Sequence, residues 1–569
     1  MYIQSKFATL PPLPEINVHN YLFEKDLPDY TAQIDSVSGR KRTLHQFLER
    51  ARDGAAALSA LSEQGGAGLR PSHEMVGILS HNCLDYIALI HSLLILTTPF
   101  ALLSFYSTPY ELKHALRLSQ ATCLFVAPDL VPLAHRCARD VGIPLDRIFV
   151  LEGHLKGKQS YHNLVSTAKK RKIPQPKAMH AQKDTLAYLV FSSGTTGLPK
   201  AVKISHGNLV CALAQNQMVT KSGLAVRPSP QYATPEGIPV SLAFLPFYHT
   251  YGLHVFSFRS FLTPTTCIVV PKWNAEFVVR LVPKYAITFM ALIPSVVQPF
   301  LDAQKRLKGD LSSLTAFGSG ASYLPPKLTE ELNHIGKNVT GVLEGYGMSE
   351  TTVSATGSYT FEVPLPGGLY QPRIGSAGIL LPGMEGRILR DDGTDADVNE
   401  PGELWLKGEN ITSGYWQNEK ETREAFHDGW LKTGDRFRVD EDGAFFFQER
   451  AKDILKISGI QVSPTEIESV LLAQPDKLVE DAAVAGVSGG RASDEKVPRA
   501  WVVLTSAGRK RSKAEVVEAL DTWTRENLSK YKWLRGGIQL VDTIPKSPTG
   551  KVLRRQLQDQ YEKRARTKL

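Results

Sequence analysis

Between Thr185 and Leu343 the chain alternates short apolar runs with longer segments in which apolar residues recur at helical spacing. The runs Thr185–Phe191, Val240–Leu245, Thr265–Pro271, Ile287–Pro294, Leu314–Gly318 and Val339–Leu343 read as buried strands. Between them, Asn208–Gln217, Tyr251–Phe261, Ala275–Pro283, Ser295–Ala303 and Pro325–His334 have helical length or periodicity. Such β-α-β alternation predicts an α/β fold with a mainly parallel sheet flanked by helices. Ligands in sheets of this kind bind beyond the carboxyl ends of the strands, so the loops there are where chemistry is expected.

The texture changes further along. A region rich in Gly, Asp and Pro, including Asp391–Gly393 and Glu400–Gly402, predicts a turn-linked antiparallel piece. Beyond it the short strand candidates Ala482–Val487, Ala500–Thr505 and Gly537–Val541 surround one amphipathic helix, Lys513–Leu528, which predicts a small α+β unit. The most apolar stretch, Ile87–Phe105, is interrupted by His91, Ser92, Thr97, Thr98 and Pro99, so it predicts a buried helix and turn rather than a membrane span.

At 569 residues the chain exceeds the usual size of one domain, and its 42% hydrophobic and 22% charged residues fit a globular, enzyme-sized protein. The first residues, Met1 to Lys25, lack the continuous apolar core of a secretory signal. Five widely spaced cysteines without a C-x-x-C pair argue against a disulfide framework and a zinc site, and favour a reducing compartment. A formal charge of +9 suits anionic small ligands as well as it suits nucleic acid, so charge does not choose between them.

The choice comes from Phe191-Ser-Ser-Gly-Thr-Thr-Gly-Leu-Pro-Lys200, which lies between a strand and a second strand-then-helix. Its glycines permit tight turns that present backbone N–H groups to an anion. The hydroxyls of Ser192, Ser193, Thr195 and Thr196 and the ammonium of Lys200 add donors and positive charge. This is phosphate chemistry on a loop other than the Gly-x4-Gly-Lys-Ser/Thr loop, which occurs nowhere in the chain.

Ser192–Lys200 resembles the phosphate-binding signature of the adenylate-forming superfamily, which includes acyl-CoA and aryl-CoA (coumarate-CoA) ligases, peptide-synthetase adenylation domains and beetle luciferases. Further segments similar to that family follow in its order: Leu245–His249, Gly318–Ser322, Tyr346–Thr351, Thr433–Asp435, Arg450–Asp453 and Pro545–Lys551. The resemblance implies a large domain, 1–451, with parallel sheets and an antiparallel β subdomain, and a small mobile α+β domain, 452–569. It implies ATP-dependent activation of a carboxylic acid as its acyl-AMP, then transfer of the acyl group to coenzyme A.

It also implies roles. Ser192, Ser193, Gly194, Thr195, Thr196, Gly197 and Lys200 would hold the phosphates of ATP. Glu350 would supply a hard oxygen to Mg²⁺, and Ser349 would offer its hydroxyl to phosphate. Glu344, Gly345 and Tyr346, with Gly320 and Ala321, would form the adenine slot, with Tyr346 giving a flat stacking face. Asp435 and Arg450 would hold the ribose, with Lys456 and Gln461 adding adenylate contacts. Lys551 would be the catalytic lysine that neutralises charge on the α-phosphate, and Lys452 the hinge of a domain rotation. Coenzyme A would meet Lys272, Ser458 and Gly459; Ser458 stands where plant coumarate ligases carry Lys. His249 would gate the acyl carboxylate, and Tyr251, Val255, Ala321, Val353 and the segment Ile293–Val297 would line an apolar acyl pocket. The terminal Thr567-Lys568-Leu569 resembles the Ser-Lys-Leu peroxisomal address and would engage an import receptor.

Alternatives remain at this level: loading of a carrier-protein phosphopantetheine, a luciferase-like oxidase, or a nonenzymatic nucleotide- or nucleic-acid-binding protein. The last requires neither Glu350 nor Lys551 at these spacings.

Overall fold

In a computed structural model the buried strand runs align as two parallel-based sheets. It describes the chain apart from residues 26, 72, 193–198, 227–230, 360–361, 367, 451–454, 458–459, 489–495, 529–531, 547–549, 551 and 567–569, and apart from the side chains of 449–450, 456–457, 460–461 and 564–566. The central sheet has seven strands in the order Val342–Glu344, Ala316–Ser319, Phe289–Leu292, Val240–Ala243, Thr266–Val269, Thr31–Asp35, Lys41–Thr43. All neighbours are parallel except the last pair. Strands buried on both faces carry no polar alternation, which is why Phe289–Leu292 and Val240–Ala243 read as unbroken apolar runs.

A second sheet of six strands has the order Ile148–Val150, Cys123–Val126, Val76–Leu79, Phe100–Leu103, Leu186–Ser192, Lys200–Ser205. Its only antiparallel pair is Leu186–Ser192 with Lys200–Ser205, and Ser192 stands opposite Lys200 in register. The strands that flank the glycine-rich segment therefore pair with each other on the edge of this sheet. The apolar stretch Ile87–Phe105 resolves into the helix Leu84–Ile95, a turn with Thr97 at φ 48°, and the strand Phe100–Leu103. Among the described residues no helix is long and apolar enough to cross a membrane.

The region rich in Gly, Asp and Pro forms an antiparallel sheet in which Glu385–Leu389, Gly402–Lys407, Trp430–Val439 and Phe445–Arg450 pair in succession. Tyr2–Gln4 closes its edge by pairing with Glu385–Leu389. Near the carboxyl end, Val479–Ser488 pairs antiparallel with Lys496–Leu504, which pairs in parallel with Ile538–Leu540. The helices Pro464–Leu472 and Lys513–Asn527 contribute Ile467, Leu471, Val516 and Leu520 to a core with Val484, Ala500 and Val502. Capping fixes the ends of this last helix, whose Ser512 accepts from Glu515 N–H while the Glu515 side chain returns to Ser512.

One helix departs from its expected extent. Tyr251–Phe261 was a single helical stretch by periodicity, whereas the helix runs Thr250–Ser257 and gives way, at Phe258 with φ −132°, to a 3-10 turn at Arg259–Phe261. All five cysteines are unpaired, and Cys123, Cys137, Cys211 and Cys267 are buried.

Candidate nucleotide and acyl site

The three sheets meet at one cavity of about 1690 Å³. Ser192 and Lys200 reach it from the hairpin of the six-stranded sheet, Gly318–Ala321 and Glu344–Glu350 from the carboxyl ends of the central sheet, and Thr433–Asp435 from the antiparallel sheet. Residues nearly 250 positions apart in the chain thus share one wall. The segments 193–198 lie outside the described residues, and with them Ser193, Gly194, Thr195, Thr196 and Gly197.

At the phosphate end, Glu350 is buried and its Oε1 accepts from the Tyr415 hydroxyl at 2.9 Å and from Ser192 Oγ at 3.5 Å. Burial pushes this carboxyl above its ordinary range, while the two hydroxyls and the charge of Lys200 pull it back. Lys200 Nζ lies 4.8 Å from the centre of the Tyr415 ring and pairs with Glu421. Neither Tyr415 nor Glu421 carries a local sequence signal, and both were missed. Ser349 Oγ hydrogen-bonds Thr250 Oγ1 at 3.0 Å, tying the loop to the start of the helix Thr250–Ser257.

The adenine and ribose expectations converge on one contact, in which the Tyr346 hydroxyl donates to Asp435 Oδ2 at 2.7 Å. The Tyr346 ring packs edge-on against Phe437 at 4.7 Å between centroids, so its plane is fixed by the antiparallel sheet. Arg450 stands opposite Asp435 in the adjoining strand. The tight loop depends on Gly347, where a Cβ would sit 1.8 Å from the Val353 carbonyl oxygen. The same loop holds Thr352 and Val353 at φ 50° and 89°, and Ala321 across the slot has φ 69°. Backbone held in this region by residues other than glycine clusters at ligand sites, where the surrounding structure overrides its cost.

Burial raises the Glu344 carboxyl to about 7, opposed by a 3.5 Å bond from Thr329. The unfolded chain would release this proton near the ordinary carboxylate range, so the group's ionisation erodes folded stability as pH rises from the unfolded value toward 7. Glu344→Gln is accordingly expected to gain in melting temperature over the parent as buffer moves from pH 5.5 to 8. Thermal melts in that series check it, and a constant difference would refute the burial argument.

Beyond the nucleotide end, the cavity continues along one face of the central sheet. His249 caps the helix Thr250–Ser257, its Nδ1 accepting from Tyr251 N–H at 3.4 Å, and burial lowers its imidazole to about 4, so it is neutral at physiological pH. Tyr251 lies flat against the strand end, 3.4 Å from where a Cβ on Gly320 would be. Tyr251, Val255, Ala321 and Val353 all line this arm. The segment Ile293–Val297 does not, and Val297 is a correction: it is fully buried among the core side chains of the central sheet, because it faces inward from the helix Pro294–Leu307.

The remaining expectations fall outside the wall or outside the described residues. Lys272 is exposed just after Thr266–Val269, close enough to help hold Asp129 below the usual carboxylate range. Lys456 and Gln461 are paired in a short hairpin, Leu455–Ile457 with Ile460–Val462. Lys452, Ser458, Gly459, Lys551 and Thr567–Leu569 are not among the described residues. The residue before Lys551 is: a Cβ on Gly550 would lie 2.6 Å from Ser295 Oγ, so this segment rests on the first turn of the helix Pro294–Leu307. Lys546, Leu553 and Gln556, around the same loop, line the cavity.

A family model described as AMP-binding enzyme matches residues 23–416, and one described as AMP-binding enzyme C-terminal domain matches residues 466–551. The chain is 32% identical to a putative acyl-coenzyme A synthetase of Emericella nidulans, covering 96% of each chain. It is 29% identical to a probable 4-coumarate–CoA ligase of Dictyostelium discoideum, covering 98% of this chain and 97% of that one. Its fold is similar to the crystal structure of the anthranilate CoA ligase AuaEII in complex with anthranoyl-AMP, with a TM-score of 0.80, 25% identity, and coverage of 97% and 99%. A glycine-rich segment between two paired edge strands, an aromatic ring at the carboxyl ends of a parallel sheet and two matching family models lead to one assignment: this chain belongs to the AMP-binding enzymes of the adenylate-forming superfamily.

Proposed function

We propose that the protein is an AMP-forming acyl-CoA ligase: it joins a carboxylic acid to ATP as acyl-AMP, releasing pyrophosphate, and then transfers the acyl group to the thiol of coenzyme A, releasing AMP. The observation that carries this reading is a single cavity whose polar arm, with Ser192, Lys200, Glu350, Tyr346 and Asp435, runs directly into an apolar arm beside Tyr251, Val255 and Val353. A nucleotide and an acid placed in the two arms meet at Gly320, Ala321 and His249.

In this reading the phosphates lie beside Ser192 and Lys200, and Asp435 accepts from the ribose diol. Tyr346 offers its face to the adenine. Neutral His249 and the Tyr251 ring flank the acid's carboxylate without adding a competing charge. Glu350 fits Mg²⁺: it is a buried hard-oxygen donor adjacent to the phosphate loop, and Mg²⁺ at nucleotides is commonly held by one or two carboxylates with phosphate oxygens completing its shell. When bound, the ion would neutralise phosphate charge. Lys551 would act on the α-phosphate, supported by Lys546 and Leu553, on either side of it in the chain, which line the cavity. We assign residues 452–569 as the mobile unit, with Lys452 as its hinge and Lys272, Ser458 and Gly459 on the coenzyme A path. The apolar lining beside Tyr251, Val255 and Val353 suits an aromatic propenoic or an aliphatic acid.

The test is a panel of carboxylic acids assayed for acid-dependent pyrophosphate release from ATP and for coenzyme A-dependent AMP release. Both signals are expected with at least one acid. Pyrophosphate release with transfer only to a carrier protein would replace coenzyme A as acceptor, and no acid-dependent release would end the reading.

A further inference from the structure

The acyl arm ends in a cation. Arg259, in the 3-10 turn after the helix Thr250–Ser257, lines the cavity together with Tyr251 and Val255, eight and four residues before it. Its Nη2 donates to Ser354 Oγ at 3.2 Å, and its buried Nε has no acceptor among the described residues. No carboxylate of those residues pairs with it, and its electrostatic neighbours are the phenols of Tyr251 and Tyr359. Burial depresses the guanidinium to about 10, which still leaves it charged at neutral pH.

An arginine placed in this way is unusual, since buried charges are paired or hydrogen-bonded on nearly every donor. Buried Arg42 follows that rule, binding Asp85 at 2.7 Å, and half-buried Arg50 binds the same carboxylate at 2.6 Å. The same cavity wall carries a second orphan, the buried hydroxyl of Ser241 on the strand Val240–Ala243, also without a partner among the described residues. Farther along, the lining turns polar, with Thr288, Thr315, Asn338 and Thr340 at the amino ends of the central strands.

We propose that Arg259 is a specificity-determining residue that receives an anionic group on the far end of the acyl substrate, so that the preferred acids are α,ω-dicarboxylic acids of intermediate length. This rests on the ligase reading given above and refines the apolar acid expected from Tyr251, Val255 and Val353. One carboxylate would meet the nucleotide at the Gly320 end, and the other would form a fork-shaped pair with Arg259 inside the cavity, where a planar guanidinium matches a carboxylate on two oxygens. The Ser241 hydroxyl is positioned on the same wall to donate to that distal group.

The test compares the parent with Arg259→Met and Arg259→Lys across α,ω-dicarboxylic acids of increasing length, the monocarboxylic acids of equal carbon number, and the corresponding ω-hydroxy acids. In the parent, kcat/KM should peak for a diacid and exceed that of the matched monoacid at least about tenfold, with the neutral hydroxy acid between them. Arg259→Met should lower kcat/KM for that diacid by about 30-fold or more while leaving the monoacid equal or improved, as expected when one member of a desolvated charge pair is removed. Arg259→Lys should keep part of the preference. An unchanged melting-temperature increment on adding ATP confirms that each variant is folded. The proposal fails if the parent favours monoacids at every length, or if Arg259→Met lowers both acid classes equally. Either failure leaves acid-dependent pyrophosphate release in place, whereas failure of the ligase reading would remove it for all acids.

Discussion

Changing Lys551 to alanine is expected to lower acid-dependent pyrophosphate release by about 100-fold or more, while thioester formation from supplied acyl-AMP and coenzyme A stays within a few-fold of the parent. The magnitude is that of removing one preorganised group aimed at developing negative charge in a water-poor site. The asymmetry follows from place. Lys546, Leu553 and Gln556, on either side of Lys551, line the cavity where phosphate and carboxylate would react. If the carboxyl-terminal unit turns away for the second reaction, Lys551 no longer contributes to it. The two half-reactions can be measured separately. Equal loss in both would reject domain rotation as the reason one cavity serves two chemistries.

Gly347→Ala should be the most damaging single-methyl change at the nucleotide end. The added carbon would fall 1.8 Å from the Val353 carbonyl oxygen and 2.7 Å from the Ser354 α-carbon, both backbone atoms that no rotamer change can move. Relief requires the loop between Tyr346 and Val353 to open, which displaces the Tyr346 hydroxyl from Asp435 and Ser349 from Thr250. A misplacement of about 1 Å can cost ~100-fold where reacting groups must be aligned. The expected result is loss of the melting-temperature increment given by ATP together with at least a ~100-fold drop in adenylation. A variant that still binds ATP normally would show that this loop does not shape the slot.

Much of this architecture was legible because buried parallel strands leave a strong mark: Val240–Ala243, Thr266–Val269 and Phe289–Leu292 fall inside the apolar runs, and motif order supplied the candidate site. What escaped were features made by distance in sequence. Tyr2–Gln4 pairs with Glu385–Leu389, and nothing near Tyr2 announces a partner so remote. Tyr415 reaches Glu350 across 65 positions, and Glu421 reaches Lys200 across 221. The family resemblance implied Val297 as a pocket residue, yet helical phase turns it into the core. Arg259 lay in what read as a helix end, where a cation usually faces water; the break at Phe258 and its place on the cavity wall appear only in three dimensions.

The meeting of three sheets at one cavity has a thermodynamic consequence. The antiparallel sheet buries an apolar cluster separate from the core that the six-stranded and central sheets share, so it holds much of its own melting free energy. A nucleotide touching Ser192, Glu350 and Asp435 together binds only when all three stand in register. By mass action such a ligand stabilises their mutual arrangement rather than any one of them, and fuses events that could occur singly on heating into one cooperative transition.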